Sequence, residues 1–163
     1  MEKVIDARLF RTVAGKFPSG VTVITTTSAD GVTPHGMTAN GFISVSLEPP
    51  LILVSVGHHT RTHSLLSDNE RYAVSILGHD QKRVALHFSG KPGDAEPEYE
   101  WIDGHPFIAG AISKILCRIV DRHPAGDHTL FIGEVEHVEH RDGDLPLVFS
   151  SGQLFSPLEK PIA

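Results

Sequence analysis

The sequence predicts a mainly β domain, a barrel or a sandwich, that carries a few short helices. Seven or more segments rich in β-branched residues are bounded by turn residues, and helical periodicity is confined to short stretches. Neither G-x-G-x-x-G between a strand and a helix nor G-x-x-x-x-G-K-[ST] occurs, which excludes a Rossmann domain and a P-loop. Any nucleotide has to be held by other means.

Taken in order, Ile5, Leu9, Phe10, Val13 and Phe17 recur at helical spacing around Asp6, a suitable N-cap. They predict an amphipathic helix over residues 6–17, stopped by Pro18-Ser19-Gly20. Val21 to Thr27 reads as a strand, and Ala29-Asp30-Gly31 turns it into a hairpin through residues 32–38. Phe42 to Ser46 and Leu51 to Val56 are two further strands, separated by Glu48-Pro49-Pro50. Thr62 to Leu66 and Asp80 to Phe88 read as short helices, the second capped by Asp80, with a strand from Tyr72 to Leu77 between them. Residues 89–106 are rich in Pro, Gly and acidic groups and predict one long loop. Ile112 to Arg122 and Thr129 to Glu139 predict long paired strands joined by His123 to His128. Arg141 to Asp144 then leads to a last strand, Pro146 to Ser150.

The 163 residues are 40% hydrophobic and 21% charged, which predicts a single domain over 1–163 with its core in about 6–155. Cys117 is the one cysteine, so an internal disulfide and a cysteine-based zinc site are excluded by counting. It alternates with apolar neighbours in Ile115-Leu116-Cys117-Arg118-Ile119, the pattern of a buried strand position rather than a nucleophile. A net charge of −6 argues against nucleic acid as a partner. Charges in Met1 to Arg8 and the lack of an apolar run of roughly 18 residues predict a soluble, cytoplasmic protein with no membrane partner. His59 and His63 lie four apart with His58 adjacent, but H-E-x-x-H is absent and no third ligand is indicated, so no metal is expected.

The most informative run is Gly36-Met37-Thr38-Ala39-Asn40-Gly41-Phe42-Ile43-Ser44-Val45-Ser46-Leu47-Glu48-Pro49-Pro50. Small and hydroxyl residues with one Asn between two strands let main-chain N–H groups and short donors converge on a flat heterocycle or a phosphate. On the residue types alone, an ordinary polar loop is the better reading.

This run resembles the signature of the short-chain flavin reductases, whose domain is a flavin-binding split β-barrel. The resemblance extends over nearly the whole chain: Leu9-Phe10-Arg11 and Gly15 to Thr25 are similar to the family's opening, and His35 to Leu47 to its flavin loop. Asp80-Gln81 resembles the start of its second helix, and Ala125 to Val135 its nicotinamide-binding strand pair. Among relatives it looks like the small reductase components of two-component aromatic hydroxylases, phenol hydroxylase above all.

The resemblance implies that Thr38, Ala39, Asn40 and Gly41 line the isoalloxazine and ribityl chain, with Ser44 and Val45 close by. It puts the phosphate on Ser55, Val56 and Gly57 with the segment His58 to Arg61, and Arg61 is a permanent charge that can fork onto phosphate oxygens. His87 and Phe88 would close over the flavin, although periodicity alone makes Phe88 a core residue. His128, Ser151 and Gly152 would contact NADH or NADPH. Gln153 stands where the family often has a basic residue, and Leu154 near a usual tyrosine.

The activity implied is an NAD(P)H:flavin oxidoreductase that reduces FMN or FAD and supplies a separate oxygenase, from a homodimer. No catalytic acid, base or nucleophile is expected, since the flavin carries the chemistry and the protein supplies geometry. The alternative is a flavin- or haem-binding module of the same shape without turnover. A pyridoxal-phosphate oxidase relative shares the architecture, but Gly126-Asp127-His128 speaks against it.

Overall fold

The computed structural model describes residues 5–93 and 96–157. Asp6 opens the first helix as expected: its carboxylate accepts from the Leu9 N–H at 2.8 Å, and α1 runs Ala7–Ala14. The helix stops at Gly15, short of the expected Pro18. The strands that follow are β1 (Ser19–Gly20), β2 (Thr22–Thr27), β3 (Pro34–Ala39), β4 (Phe42–Leu47) and β5 (Pro50–Gly57). Helix α2 (Arg61–Asp68), strand β6 (Arg71–Ile76) and helix α3 (Lys82–Phe88) come next. The rest is β7 (Tyr99–Ile102), β8 (His105–Ile108), β9 (Ser113–Ala125), β10 (His128–His140), β11 (Val148–Ser150) and β12 (Gln153–Phe155). The mainly β class with three short helices is therefore as the sequence predicts.

Seven strands form one antiparallel sheet in the order β3-β2-β6-β9-β10-β5-β4. Its two edges, β3 and β4, are consecutive in the chain and joined only by Asn40 and Gly41. In a flat sheet six spacings would part these edges by about 29 Å. The link from Ala39 to Phe42 spans at most about 11 Å. The sheet therefore curls until its edges meet at that end, leaving a seam between them. Helix α2 packs across the opposite end. Thr60 caps it, accepting from the His63 N–H at 3.1 Å and donating to the Gly57 carbonyl at 2.9 Å. Asn69, just past its last turn, donates to Thr26 Oγ1 and the Thr27 carbonyl.

Curling gives the sheet an inside and an outside, and strand alternation fills both. Ile24, Val54, Val56, Tyr72, Val74, Cys117 and Phe131 pack inside with Leu66 of α2. Val23, next to Ile24, points the other way and joins Val21, Leu77, Ile108 and Leu147 beneath Ala85 of α3. Each such side chain contributes about 1.5–3 kcal/mol by leaving water. The interior leaves no room at Gly133: a Cβ there would lie 2.5 Å from Tyr72 Oη and 2.6 Å from the Cys117 Cβ.

Three expectations are corrected. The segment 89–106 is not one loop: Tyr99–Ile102 and His105–Ile108 pair as a hairpin through Asp103-Gly104, both at positive φ (49° and 75°). Asp-Gly is a strong signal for that kind of turn, and the Pro-rich, acidic composition around it masked the signal. The connection His123 to His128 shrinks to Gly126-Asp127, with Gly126 at φ 63°, because β9 and β10 keep pairing out to Ala125 and His128. Asp80 does not cap α3. Gln81 holds the N-cap position, and its side chain instead accepts from the Gly78 N–H and donates to the Ala109 carbonyl.

Gly133→Ala is expected to cost about 1–3 kcal/mol through overpacking. Urea unfolding should show this as a lower midpoint; an unchanged midpoint would mean that Tyr72 and Cys117 yield freely.

Candidate functional site

The seam makes the site. Strands β3 and β4 each have one side without a strand neighbour, so both present main-chain N–H and C=O groups there. The link between them is drawn against β5: the Ser55 N–H donates to the Gly41 carbonyl at 2.8 Å. A Cβ on Gly41 would stand 3.1 Å from the Ser55 Cβ, so glycine permits this close approach.

Beside the link lies a cleft of about 240 Å³. Thr38, Ala39 and Asn40 form one wall with Val21, and Ala85, Leu86, Ser89 and Lys91 form a second. The β11–β12 hairpin closes the third with Phe149, Gly152 and Leu154. Thr38 Oγ1 donates to the Ala85 carbonyl at 2.7 Å, which pins α3 to β3 and sets the width of the cleft. Apolar walls and a polar strand edge suit a flat heterocycle with a hydrogen-bonding rim.

Of the residues singled out from sequence, the fold brings Thr38, Ala39, Asn40 and Gly152 into this one cleft. Ser44 and Val45 are exposed on β4, at a bulge between Ser44 and Ser46. Ser55 is half-buried, and the Val56 side chain lies in the interior core, leaving only its main chain near the seam. Arg61 reaches across to Ser28 Oγ at 3.0 Å. The Phe88 ring lies over Gly36, where a Cβ would stand 2.7 Å from it, and packs edge-on to Tyr99. Phe88 is thus a packing residue of the outer layer. His87 faces a neighbouring cleft, its Nε2 3.5 Å from Glu96 and its Nδ1 buried without a partner among the described residues.

His128 begins β10, paired in register with Gly57. Its Nδ1 is 2.7 Å from Asp127 Oδ1, and that hydrogen bond holds the Asp127 carboxyl below the usual carboxylate range. Ser151 and Gly152 are both at positive φ (50° and 78°) in the two-residue turn between β11 and β12. Lys91, a cation on the cleft wall, escaped sequence reasoning because a single lysine after α3 carries no periodic or motif signal.

His58 Nε2 and His63 Nε2 both meet Thr129 Oγ1, at 3.1 and 2.9 Å. These imidazoles are spent on a hydroxyl, and no three metal-ligating side chains converge among the described residues. The buried Cys117 thiol is pushed up to about 12 by desolvation, as suits a core residue. His35 bonds Thr62 Oγ1 at 2.9 Å, and burial first, then the charge of Arg61, holds its imidazole below the ordinary range.

Residues 14–157 match the sequence profile of the flavin reductase-like domain. The chain belongs to this family. The flavin reductase-like chain is 43% identical to an NADH-dependent flavin reductase of a Rhodococcus species, over 90% of its own length and 84% of that relative. It is 33% identical to the reductase subunit HsaB of a flavin-dependent monooxygenase of Rhodococcus jostii, over 93% and 78% of the two chains. The native structure of the flavin reductase PheA2 superimposes with a TM-score of 0.90 at 42% identity, covering 95% of this chain and all of that one.

The His35 shift has a consequence for stability. A base whose folded pKa lies below its unfolded value binds protons better when unfolded, so its contribution is complete above about pH 6.5 and declines as pH falls below that. The thermal midpoint is expected to drop between about pH 7 and pH 5, and His35→Gln should reduce that drop. An identical pH profile in the variant would assign the dependence elsewhere.

Proposed function

We propose that this chain is an NAD(P)H:flavin oxidoreductase that reduces FMN or FAD and hands the reduced flavin to a separate flavin-dependent monooxygenase. The observation that carries the reading is the cleft beside Asn40. It joins apolar walls to two unpaired strand edges, in a chain of the flavin reductase-like family. When bound, the flavin supplies the redox chemistry, accepting hydride from the dihydronicotinamide.

The chain's own residues bind, orient and exclude water. Val21, Leu86, Phe149 and Leu154 give the ring an apolar wall, leaving one face to the nicotinamide, and Asn40 with the free edge of β3 takes its polar rim. Arg61, aided by Ser55 and Gly57, takes the phosphate. Ser44 and Val45 belong to the rim of the seam on β4. His87 and Phe88 serve as supports, Phe88 by fixing α3 against Gly36. With Nδ1 held by Asp127, His128 turns Nε2 outward to the nicotinamide dinucleotide, as acceptor when neutral and donor when protonated. No group among these has to move a proton.

The reading extends to a single split β-barrel domain spanning 1–163, with its core in about 6–155, working in the cytoplasm. A reducing compartment suits its lone unpaired thiol. Two copies assemble. Leu9, Phe10, Val13 and Phe17 of the α1 segment are 61–82% exposed, and Ile43, Val45 and Leu47 add an apolar face on β4. Exposed apolar side chains gathered on one element mark an interaction site, and self-association is the commonest way to cover one.

Steady consumption of NADH with added FMN or FAD is the expected result, whereas a module that only binds would take up flavin without turnover. Arg61→Ala should weaken flavin binding about ten- to a hundred-fold, the loss of one charge-assisted contact. His128→Ala should raise the Michaelis constant for NADH and leave flavin affinity unchanged. Wild-type binding and kinetics in both variants would remove these assignments. Light scattering should return a dimer at micromolar concentration, and Phe10→Glu with Val13→Glu should shift it to monomer; a monomeric wild type would sink the assembly.

A further inference from the structure

In a chain of net charge −6, the cations divide into two groups. Arg71 and Arg118 are paired with Glu136 and Glu134, Lys114 with Glu100, and Arg141 with Asp144. Arg11 and Lys16 have no carboxylate partner among the described residues. They line a cleft of about 320 Å³ together with Thr12, Gly15, Ser151 and Gly152. Gly152 also lines the cleft beside Asn40, so the two spaces meet at the Ser151-Gly152 turn.

The junction is built by the main chain. The Ser151 N–H donates to the Gly15 carbonyl at 2.7 Å, docking the end of α1 on the turn and carrying Arg11 and Lys16 to it. The cleft beside Asn40, at about 240 Å³, is small for a dinucleotide, since sites for ligands of drug size run to roughly 300–1,000 Å³. A dinucleotide seated there by its ring has to continue outward. On the other flank, the space at Arg83, His87 and Lys91 includes the Glu96 carboxylate, which opposes phosphate. The Arg11 side has two cations and no acidic lining residue.

We propose that this second cleft holds the adenosine diphosphate half of a bound dinucleotide, with Arg11 and Lys16 on its phosphates. This rests on the proposed reductase reading and deepens it. Arg11 and Lys16 supply in space the positive charge that Gln153 does not supply in sequence. Arg forks onto phosphate oxygens and Lys adds a point charge. The diphosphate is that of the nicotinamide reductant, since the proposed reading gives the flavin phosphate to Arg61.

The test titrates ADP by calorimetry into the full chain saturated with FMN, comparing wild type, Arg11→Gln with Lys16→Gln, and Arg8→Gln. The double variant should lose about tenfold or more in ADP affinity, with FMN affinity and thermal midpoint unchanged, and Arg8→Gln should behave as wild type. A loss of FAD but not FMN affinity would give the cleft to the flavin and overturns the inference. A rise in the Michaelis constant for NADH but not for reduced nicotinamide mononucleotide assigns it to the reductant. Equal ADP binding in wild type and double variant, no ADP binding to wild type, or an equal loss in Arg8→Gln overturns the inference. A wild type that neither binds FMN nor consumes NADH overturns the reductase reading itself, a distinguishable result.

Discussion

The short link at Asn40 and Gly41 is the constraint on which the rest depends. It joins two strands that hydrogen bonding places at opposite edges of a seven-stranded sheet. A two-residue tether cannot cross a flat sheet, so the sheet has to curl until its edges meet at the link. Closure creates the interior that Tyr72, Phe131 and Leu66 fill. Incomplete closure leaves polar main chain unpaired along the seam, where a ligand can use it.

The same closure explains why the site is made of such short side chains. Thr38, Ala39, Asn40, Gly41 and Ser55 lie where two edges and β5 converge, and bulk there would hold the edges apart. Gly41 stands against Ser55, and Thr38 ties α3 to β3. In the proposed site, recognition accordingly falls to backbone groups and to the apolar walls contributed by α3 and the β11–β12 hairpin. Charge stands at its edge, with Lys91 on the cleft wall and Arg11 and Lys16 lining the adjoining cleft. That division suits a reaction in which the bound ring systems carry the chemistry and the protein sets distance and orientation.

Secondary structure was legible where local chemistry is strong. Asp6 caps α1 as its spacing indicates, the β-branched run at Val21 to Thr27 is a strand, and Phe42–Leu47 and Pro50–Gly57 pair around Glu48-Pro49. The misreadings have physical causes. Asp103-Gly104 is a hairpin turn hidden in an acidic, Pro-rich stretch. Pro124, a poor strand residue in isolation, is carried into β9 by pairing with Thr129. Gln81 displaces Asp80 at the start of α3 because its amide bonds Gly78 and Ala109, the latter far along the chain.

By itself the sequence determined the fold class, the buried state of Cys117 and the segment that forms the seam, because alternation, turn residues and a run of small polar residues are written locally. Only the tertiary structure decided that the Val56 side chain turns into the interior while Lys91 lines the cleft. It alone brought Gly152 beside Asn40 and set Arg11 and Lys16 next to Ser151. Which way a side chain points depends on sheet register and on the curl that the Asn40-Gly41 link imposes, and both are set by partners distant in sequence.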